Sequence, residues 1–350
     1  MEGYNKKVIM SYWTICRMKT TKKIYVKVSI IFLLGGILLF SSCEKEENQK
    51  IEANRKTLFM YLPWSSNLTN YFYNNISDLE KCITKIGLNN EKVIVFISTG
   101  STEAMMFEIV SSHGRCKREI LKKYKSPPFT TIDGIKAILN DVKAFAPASV
   151  YTMIIGCHGM GWLPVYEMKV RSAPHMKMHW EYQGVPLTRY FGGLTAEYQT
   201  DIKSLASGIA NAGMKMEYIL FDDCYMSSIE VAYELKDVTK YLIGSTSEMM
   251  AYGMPYATVG EFLLGNPDYG SLCEGFHDFY STYEMMPCGT LAVTDCSELD
   301  NMAAIMKSIN DRYVFDDSLQ GELQGLDGYT PVIFYDFADY VLTLCSDPVL

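Results

Sequence analysis

Short apolar runs of strand character recur along the chain, and most are followed by a segment with helical spacing. Thr57–Leu62 reads TLFMYL, Lys92–Ser98 KVIVFIS, Ala104–Val110 AMMFEIV, Ser149–Gly156 SVYTMIIG, Glu217–Phe221 EYILF and Tyr241–Ser245 YLIGS. Asn67–Ile86 has helical spacing, and Thr131–Ala146 sets apolar residues at 132, 135, 138, 139, 142 and 145, along one helix face. Asp201–Ala212, with Asp201 suited to its N-terminal end, and Ser227–Lys236 read as two more helices. Runs that are apolar throughout belong in a sheet covered on both faces, and strand–helix–strand alternation makes that sheet largely parallel. The expected fold is an α/β three-layer sandwich, a central mostly parallel sheet with helices on both faces. Hydrophobic residues make up 48% of the chain and charged residues 21%, which supplies a large core and excludes global disorder.

The N-terminus carries a different signal. Lys19, Lys22, Lys23 and Lys27 precede the apolar run VSIIFLLGGILLF at Val28–Phe40, which is followed by Ser41, Ser42, Cys43 and the polar stretch EKEENQK. That run is shorter than the ~20 apolar residues a spanning helix needs. A positive flank, a short apolar core and small residues before a cleavage point read as a signal peptide, with an uncleaved anchor as the alternative. The placement of Cys43 resembles a bacterial lipoprotein signal, in which that cysteine is lipidated. The acidic residues after it resemble the surface-export pattern of Bacteroidetes lipoproteins, and Met18 is a candidate start. On this reading residues 1–42 are a lipoprotein signal region, and residues 43–56 are a charged tether. The body is exported and lipid-anchored at the outer membrane, facing periplasm or cell surface; each buried CH₂ of the anchor contributes about 0.8 kcal/mol. Residues 1–42 hold seven Lys/Arg and one Glu, so their removal takes the net charge from −8 to −14. The acidic balance argues against a nucleic-acid partner.

Residues 57–256 are expected to form the catalytic core and residues 257–350 an extension packed on it. The extension reads as helices at Ser271–Glu284, Glu298–Asn310 and Phe334–Leu344, with a strand at Thr290–Val293. Trp162–Thr200 breaks the strand–helix rhythm and reads as a binding loop, a lid or a surface insertion. The ten cysteines include no CxxC pair, which leaves thioredoxin chemistry and a zinc knuckle without support.

Two strand ends carry the candidate chemistry. Ile154-Ile155-Gly156-Cys157-His158-Gly159-Met160-Gly161 runs an apolar strand into a histidine flanked by glycines. Ile219-Leu220-Phe221-Asp222-Asp223-Cys224-Tyr225-Met226 runs a second strand into a cysteine before a helix. In an open parallel sheet the carboxyl ends of strands form the usual active-site edge, so His158 and Cys224 can meet despite their separation in sequence. A nearby imidazole raises the thiolate fraction of a cysteine. The tetrahedral oxyanion made by an attacking thiolate needs N–H donors, for which the backbones of Gly159 and Cys224 are candidates. The bland alternatives are a buried core thiol at Cys224 and a loop histidine bonded to backbone at His158. Cys157 points away from His158 if the strand pattern persists and is assigned a structural role.

These two motifs, with the helix residues Glu230–Leu235, resemble the clostripain-like (C11) cysteine peptidases of the caspase-like clan. Asn67-Leu68, Gly244–Glu248, Pro255-Tyr256 and Tyr335–Tyr340 add to the likeness, which runs from about residue 57 to 345. The resemblance implies a caspase-like sandwich and a His158–Cys224 dyad that hydrolyses peptide bonds through a thioester. It also implies cleavage after Arg or Lys, with Asp222 in the pocket for the basic side chain; the competing reading has Asp222 bracing the Cys224 loop. Asp223 departs from the small residue the family often carries there. Met249–Tyr252 is apolar where members tend to be acidic, so an apolar or mixed pocket stands beside the basic one. Some members cut themselves in the loop after the His, where this chain has Lys169 and Arg171.

No metal or cofactor is expected. His175 and His179 are four apart, but no carboxylate or cysteine completes a ligand set, and no nucleotide loop or EF-hand loop is visible. The expected partners are a peptide or protein substrate and a membrane through the lipid. The alternative function is a catalytically silent peptidase-like lipoprotein that binds peptides or partner proteins.

Overall fold

Apolar runs become adjacent strands of one sheet because their side chains exclude water only when both faces are covered. The computed structural model describes residues 54–163, 165, 196–329 and 331–345. The strands are β1 Asn54–Leu62, β2 Glu91–Ser98, β3 Glu103–Ser112, β4 Arg115–Lys125, β5 Ala148–Ile155, β6 Met216–Phe221, β7 Thr239–Gly244 and β8 Ala292–Asp295. Among the described residues they form one sheet in the order β4-β3-β2-β1-β5-β6-β7-β8. The centre, β2-β1-β5-β6-β7, is parallel; β3, β4 and β8 attach through antiparallel pairings.

The chain leaves β1 toward β2 through α1 Thr69–Ile86, then returns to the other side of β1 through α2 Ile132–Phe145. It continues outward through α3 Ile202–Asn211 and α4 Ile229–Leu235. Right-handed crossovers in opposite directions put α1 on one face and α2, α3 and α4 on the other. The short turn Tyr256–Val259 and α5 Tyr269–Ser281 share the α1 side; α6 Leu299–Asn310 packs on α4, and α7 Phe337–Leu344 ends the described chain. This is the three-layer sandwich expected from the alternation, in the caspase-like form that the resemblance implied.

Local sequence sets the helix limits. Thr131, Ser228 and Asp268 accept the backbone N–H of Gly134, Val231 and Ser271, capping α2, α4 and α5. Such a cap contributes about 1 kcal/mol. Along α1, Phe72, Ile76, Leu79 and Ile83 are all buried against the sheet. Each contributes roughly 1.5–3 kcal/mol by leaving water.

One strand escapes the sequence pattern. β4, RCKREILKKYK, is too charged to read as a strand, and it makes β3 an interior strand rather than an edge. Its charges are accommodated because it is the outermost strand: Arg118 grips Glu80 of α1 and Lys122 reaches Asp141 of α2. Lysine on an outer strand also discourages edge-to-edge association.

Among the described residues no helix is long and apolar enough to cross a membrane. Cys43, Lys169, Arg171, His175 and His179 lie outside the described residues.

Candidate active site

The strand order reverses at β1, whose neighbours are β2 and β5, and the carboxyl ends of β1, β5 and β6 stand side by side. Ligands bind at such switch points because the outgoing loops diverge and leave a crevice. Each of these three ends delivers a polar side chain. Asn67 follows β1, His158 follows β5, and Asp222, Asp223 and Cys224 follow β6. Backbone bonds hold the ends in step: Gly156 N–H donates to the Tyr61 carbonyl at 3.1 Å, and Asp222 N–H to the Ile155 carbonyl at 2.8 Å.

His158 is buried, and its Nε2–H donates to Asn67 Oδ1 at 2.8 Å. That bond puts the proton on Nε2 and makes Nδ1 the basic nitrogen. Cys224 is fully buried; its sulfur accepts the Met249 N–H at 3.1 Å, and its thiol faces the Met249 carbonyl at 3.6 Å.

The His158 and Cys224 loops touch through Gly159. A Cβ on Gly159 would sit 2.1 Å from the Cys224 carbonyl oxygen, 2.9 Å from the Cys224 nitrogen and 2.9 Å from Asp223 Cβ. Only a residue without a side chain permits that approach. The two backbones named as candidate oxyanion donors are thus neighbours.

The adjacent carboxylates diverge. Asp222 accepts Met254 N–H at 2.9 Å and the Tyr256 hydroxyl at 3.0 Å, fixing the segment after β7 against the end of β6. That segment is also tied to α1, where Asn75 donates to the Tyr252 carbonyl and the Tyr252 hydroxyl donates to Asp78. Asp223 turns the other way and accepts Cys157 N–H at 2.6 Å, with Cys157 Sγ 3.3 Å from its second oxygen.

After Cys224 the chain turns sharply, and Tyr225 takes a left-handed backbone at φ 58°. A non-glycine residue there costs of order 1 kcal/mol or more and persists when its surroundings hold it. Its N–H donates to the Ser247 carbonyl at 3.0 Å, its hydroxyl to Glu248 at 3.0 Å, and its ring stacks on Phe334 at 4.5 Å between centroids. Burial, reinforced by Tyr329 and Glu248, holds its phenol far above the ordinary tyrosine range. The C-terminal segment also reaches the His158 loop, where the Tyr329 hydroxyl meets Met160 Sδ at 3.2 Å and Phe334 closes on Gly161. Asp327 shapes that segment by accepting the N–H groups of Tyr329, Ile333 and Phe334.

Among the described residues no group of three or more His, Cys, Asp or Glu is placed to hold a metal, and no cysteine forms a disulfide.

The profile of the Clostripain family, peptidase C11, matches residues 60–343. The chain belongs to the clostripain family. This clostripain-family chain is therefore a cysteine peptidase. It is similar to the crystal structure of a secreted C11 cysteine protease from Bacteroides thetaiotaomicron, at 60% identity over 85% of this chain and 82% of that one, with a TM-score of 0.78. It is also similar to an inactive zymogen C11 protease from Parabacteroides distasonis, at 26% identity over 83% and 77% of the two chains and a TM-score of 0.67. No curated protein matches the chain.

Asn67 and the Met249 backbone had no assigned role in the clostripain-family reading of the sequence. Asn67 stood in the motif without a partner, and no pattern in the sequence signals a backbone N–H that will face a sulfur 25 positions away.

Proposed function

We propose that this clostripain-family chain is an endopeptidase whose His158 and Cys224 work as a dyad. Cys224 Sγ gives its proton to His158 Nδ1 and attacks the scissile carbonyl carbon. The N–H groups of Gly159 and Cys224 receive the oxyanion. His158 then passes the proton to the departing amine as the C–N bond breaks, leaving a thioester on Cys224. Water, deprotonated by His158, attacks the thioester and releases the acid. Asn67 holds the imidazole by Nε2 throughout. The observation that supports this reading is the contact of Gly159 with the Cys224 backbone, which draws together the loops that carry both groups.

Asp222 selects a Lys or Arg side chain at the residue before the cut. A carboxylate offers about four acceptor sites, so its bonds to Met254 and Tyr256 are compatible with binding a cation. A buried carboxylate also discriminates strongly for charge. Residues 57–256 carry the chemistry, and residues 257–350 pack on it. Cys43 is the lipid attachment point after removal of residues 1–42, placing the enzyme outside the cytoplasm. Self-cleavage after Lys169 or Arg171 activates it.

Incubating the purified chain, Cys224→Ala and His158→Ala with a peptide library tests the dyad. Cuts after Lys or Arg are expected from the wild type, falling by about 10³-fold or more in both variants. Wild-type turnover by Cys224→Ala would falsify the dyad. Intact mass before and after incubation reads self-cleavage, and identical fragments from wild type and Cys224→Ala would exclude it. Membrane fractionation of Cys43→Ser reads the anchor, which predicts release of the variant.

A further inference from the structure

The β5–β6 ladder ends where Asp222 N–H meets the Ile155 carbonyl at 2.8 Å. His158 and Cys224 lie beyond that rung, on loops whose relative register the sheet no longer sets. The next link outward is made by a side chain. Asp223, the residue before Cys224, accepts at 2.6 Å from the N–H of Cys157, the residue before His158. The second oxygen of the same carboxylate lies 3.3 Å from Cys157 Sγ. Asp223 is fully buried, so the link is sheltered from competing water. On the other side of the same crossing Gly159 runs so close that a Cβ there would lie 2.1 Å from the Cys224 carbonyl oxygen and 2.9 Å from Asp223 Cβ. The two loops are therefore linked by a hydrogen bond at Cys157 and pass at close approach at Gly159, one residue to either side of His158.

We propose that Asp223 is a positioning residue: by accepting Cys157 N–H it fixes the His158 loop against the Cys224 loop, and with it the approach of imidazole to sulfur. This rests on the His158–Cys224 reading above. A buried side-chain oxygen suits the task, because no water competes for the Cys157 N–H there. The attraction acts through the backbone N–H, so the Cys157 thiol is a secondary contact.

The test is steady-state hydrolysis of peptidyl-lysine and peptidyl-arginine substrates by the full chain, with the rate of Cys224 labelling by a lysyl acyloxymethylketone. Asp223→Ala is expected to lower kcat and the labelling rate by about 10²-fold, the scale of a misplacement near 1 Å, with KM within about twofold. Cys157→Ala keeps the backbone N–H and is expected to retain kcat within about threefold, since only the secondary contact is lost. Asp223→Asn keeps an oxygen that accepts the N–H but carries no charge. It is expected to restore most of the activity with an unshifted pH–rate profile. If Asp223→Asn loses about 10²-fold in kcat, or its pH profile moves by about a unit, the charge acts directly on the dyad and the brace is wrong. Asp223→Asn is compared with wild type for this purpose, so the result is decisive even where Asp223→Ala does not fold. A folded Asp223→Ala with wild-type kcat also overturns the proposal. Cys224→Ala separates the two levels: wild-type turnover there defeats the dyad, whereas an inactive Cys224→Ala beside a fully active Asp223→Ala defeats the brace alone.

Discussion

Replacing Gly159 by alanine adds a single carbon at the tightest point between the two loops. That carbon would lie 2.1 Å from the Cys224 carbonyl oxygen, against the 3.4 Å at which ordinary contact begins. The obstruction is backbone, so no rotamer change relieves it, and the loops must part by roughly 1 Å. Under the proposed mechanism, parting carries His158 away from Cys224 and moves the Gly159 and Cys224 N–H groups out of joint alignment on the oxyanion. A displacement of that size costs on the order of 10²-fold in rate, or about 2.7 kcal/mol of transition-state stabilisation. Local overpacking destabilises the fold by about 1–3 kcal/mol, which leaves a protein of this size folded. The assay is kcat and KM for peptidyl-lysine and peptidyl-arginine substrates, with thermal unfolding run in parallel. Gly100→Ala is the control, because Gly100 has open space around its missing Cβ. The expectation is a loss of about two orders of magnitude in kcat for Gly159→Ala and none for Gly100→Ala. A folded Gly159→Ala with kcat within about threefold of wild type would refute the reasoning that this contact sets the reacting geometry.

Tyr256→Phe deletes the hydroxyl that donates to Asp222 at 3.0 Å. Hydrogen bonds to charged groups contribute about 1.5–3 kcal/mol, so KM for Lys and Arg substrates should rise by about tenfold or more while kcat stays within about threefold. Equal loss on a substrate with an uncharged residue before the cut would speak against Asp222 as the selector. Lys56, buried on β1, donates to the carbonyls of Leu263 at 2.6 Å and Gly265 at 3.2 Å. Burial lowers its pKa from 10.5 to about 8, against the opposing pull of Glu91 and Glu217. The unfolded chain therefore binds more protons than the folded one between pH 8 and 10.5, and this group's contribution to stability rises with pH through that window. Below it the fold bears the full cost of the buried charge, about 3 kcal/mol. Urea unfolding of wild type and Lys56→Met at pH 7 and pH 10 should show the stability difference moving toward wild type by about 2–3 kcal/mol at the higher pH. A difference that stays constant with pH excludes a depressed Lys56.

The order of strands and helices was legible because apolar runs and helical spacing are local properties. Asp201 was legible as the start of α3, where it stands, but its carboxylate accepts the Val165 N–H instead of capping the helix, and the caps at Thr131, Ser228 and Asp268 emerged only in the structure. The two strand ends bearing His158 and Cys224 were legible as well, since an apolar strand that runs into His-Gly or into Asp-Asp-Cys marks its own carboxyl end; their burial was not. β4 was not legible. Its eleven residues hold few apolar side chains, and what makes them a strand is pairing with β3 and charge partners on α1 and α2.

The sequence by itself determined which residue types stand at the carboxyl ends of β1, β5 and β6. Only the tertiary structure decided what each of them meets. Asp222 and Asp223 are neighbours of identical chemistry, yet one secures the segment at 254–256 and the other Cys157, because successive side chains leaving a strand point to opposite sides. Asn67 joins His158 across 91 positions, and Met249 meets Cys224 across 25, through contacts that exist only once the sheet has set its strand order. Hydrogen-bond partners at that range are fixed by topology and packing, which no local pattern of residues encodes.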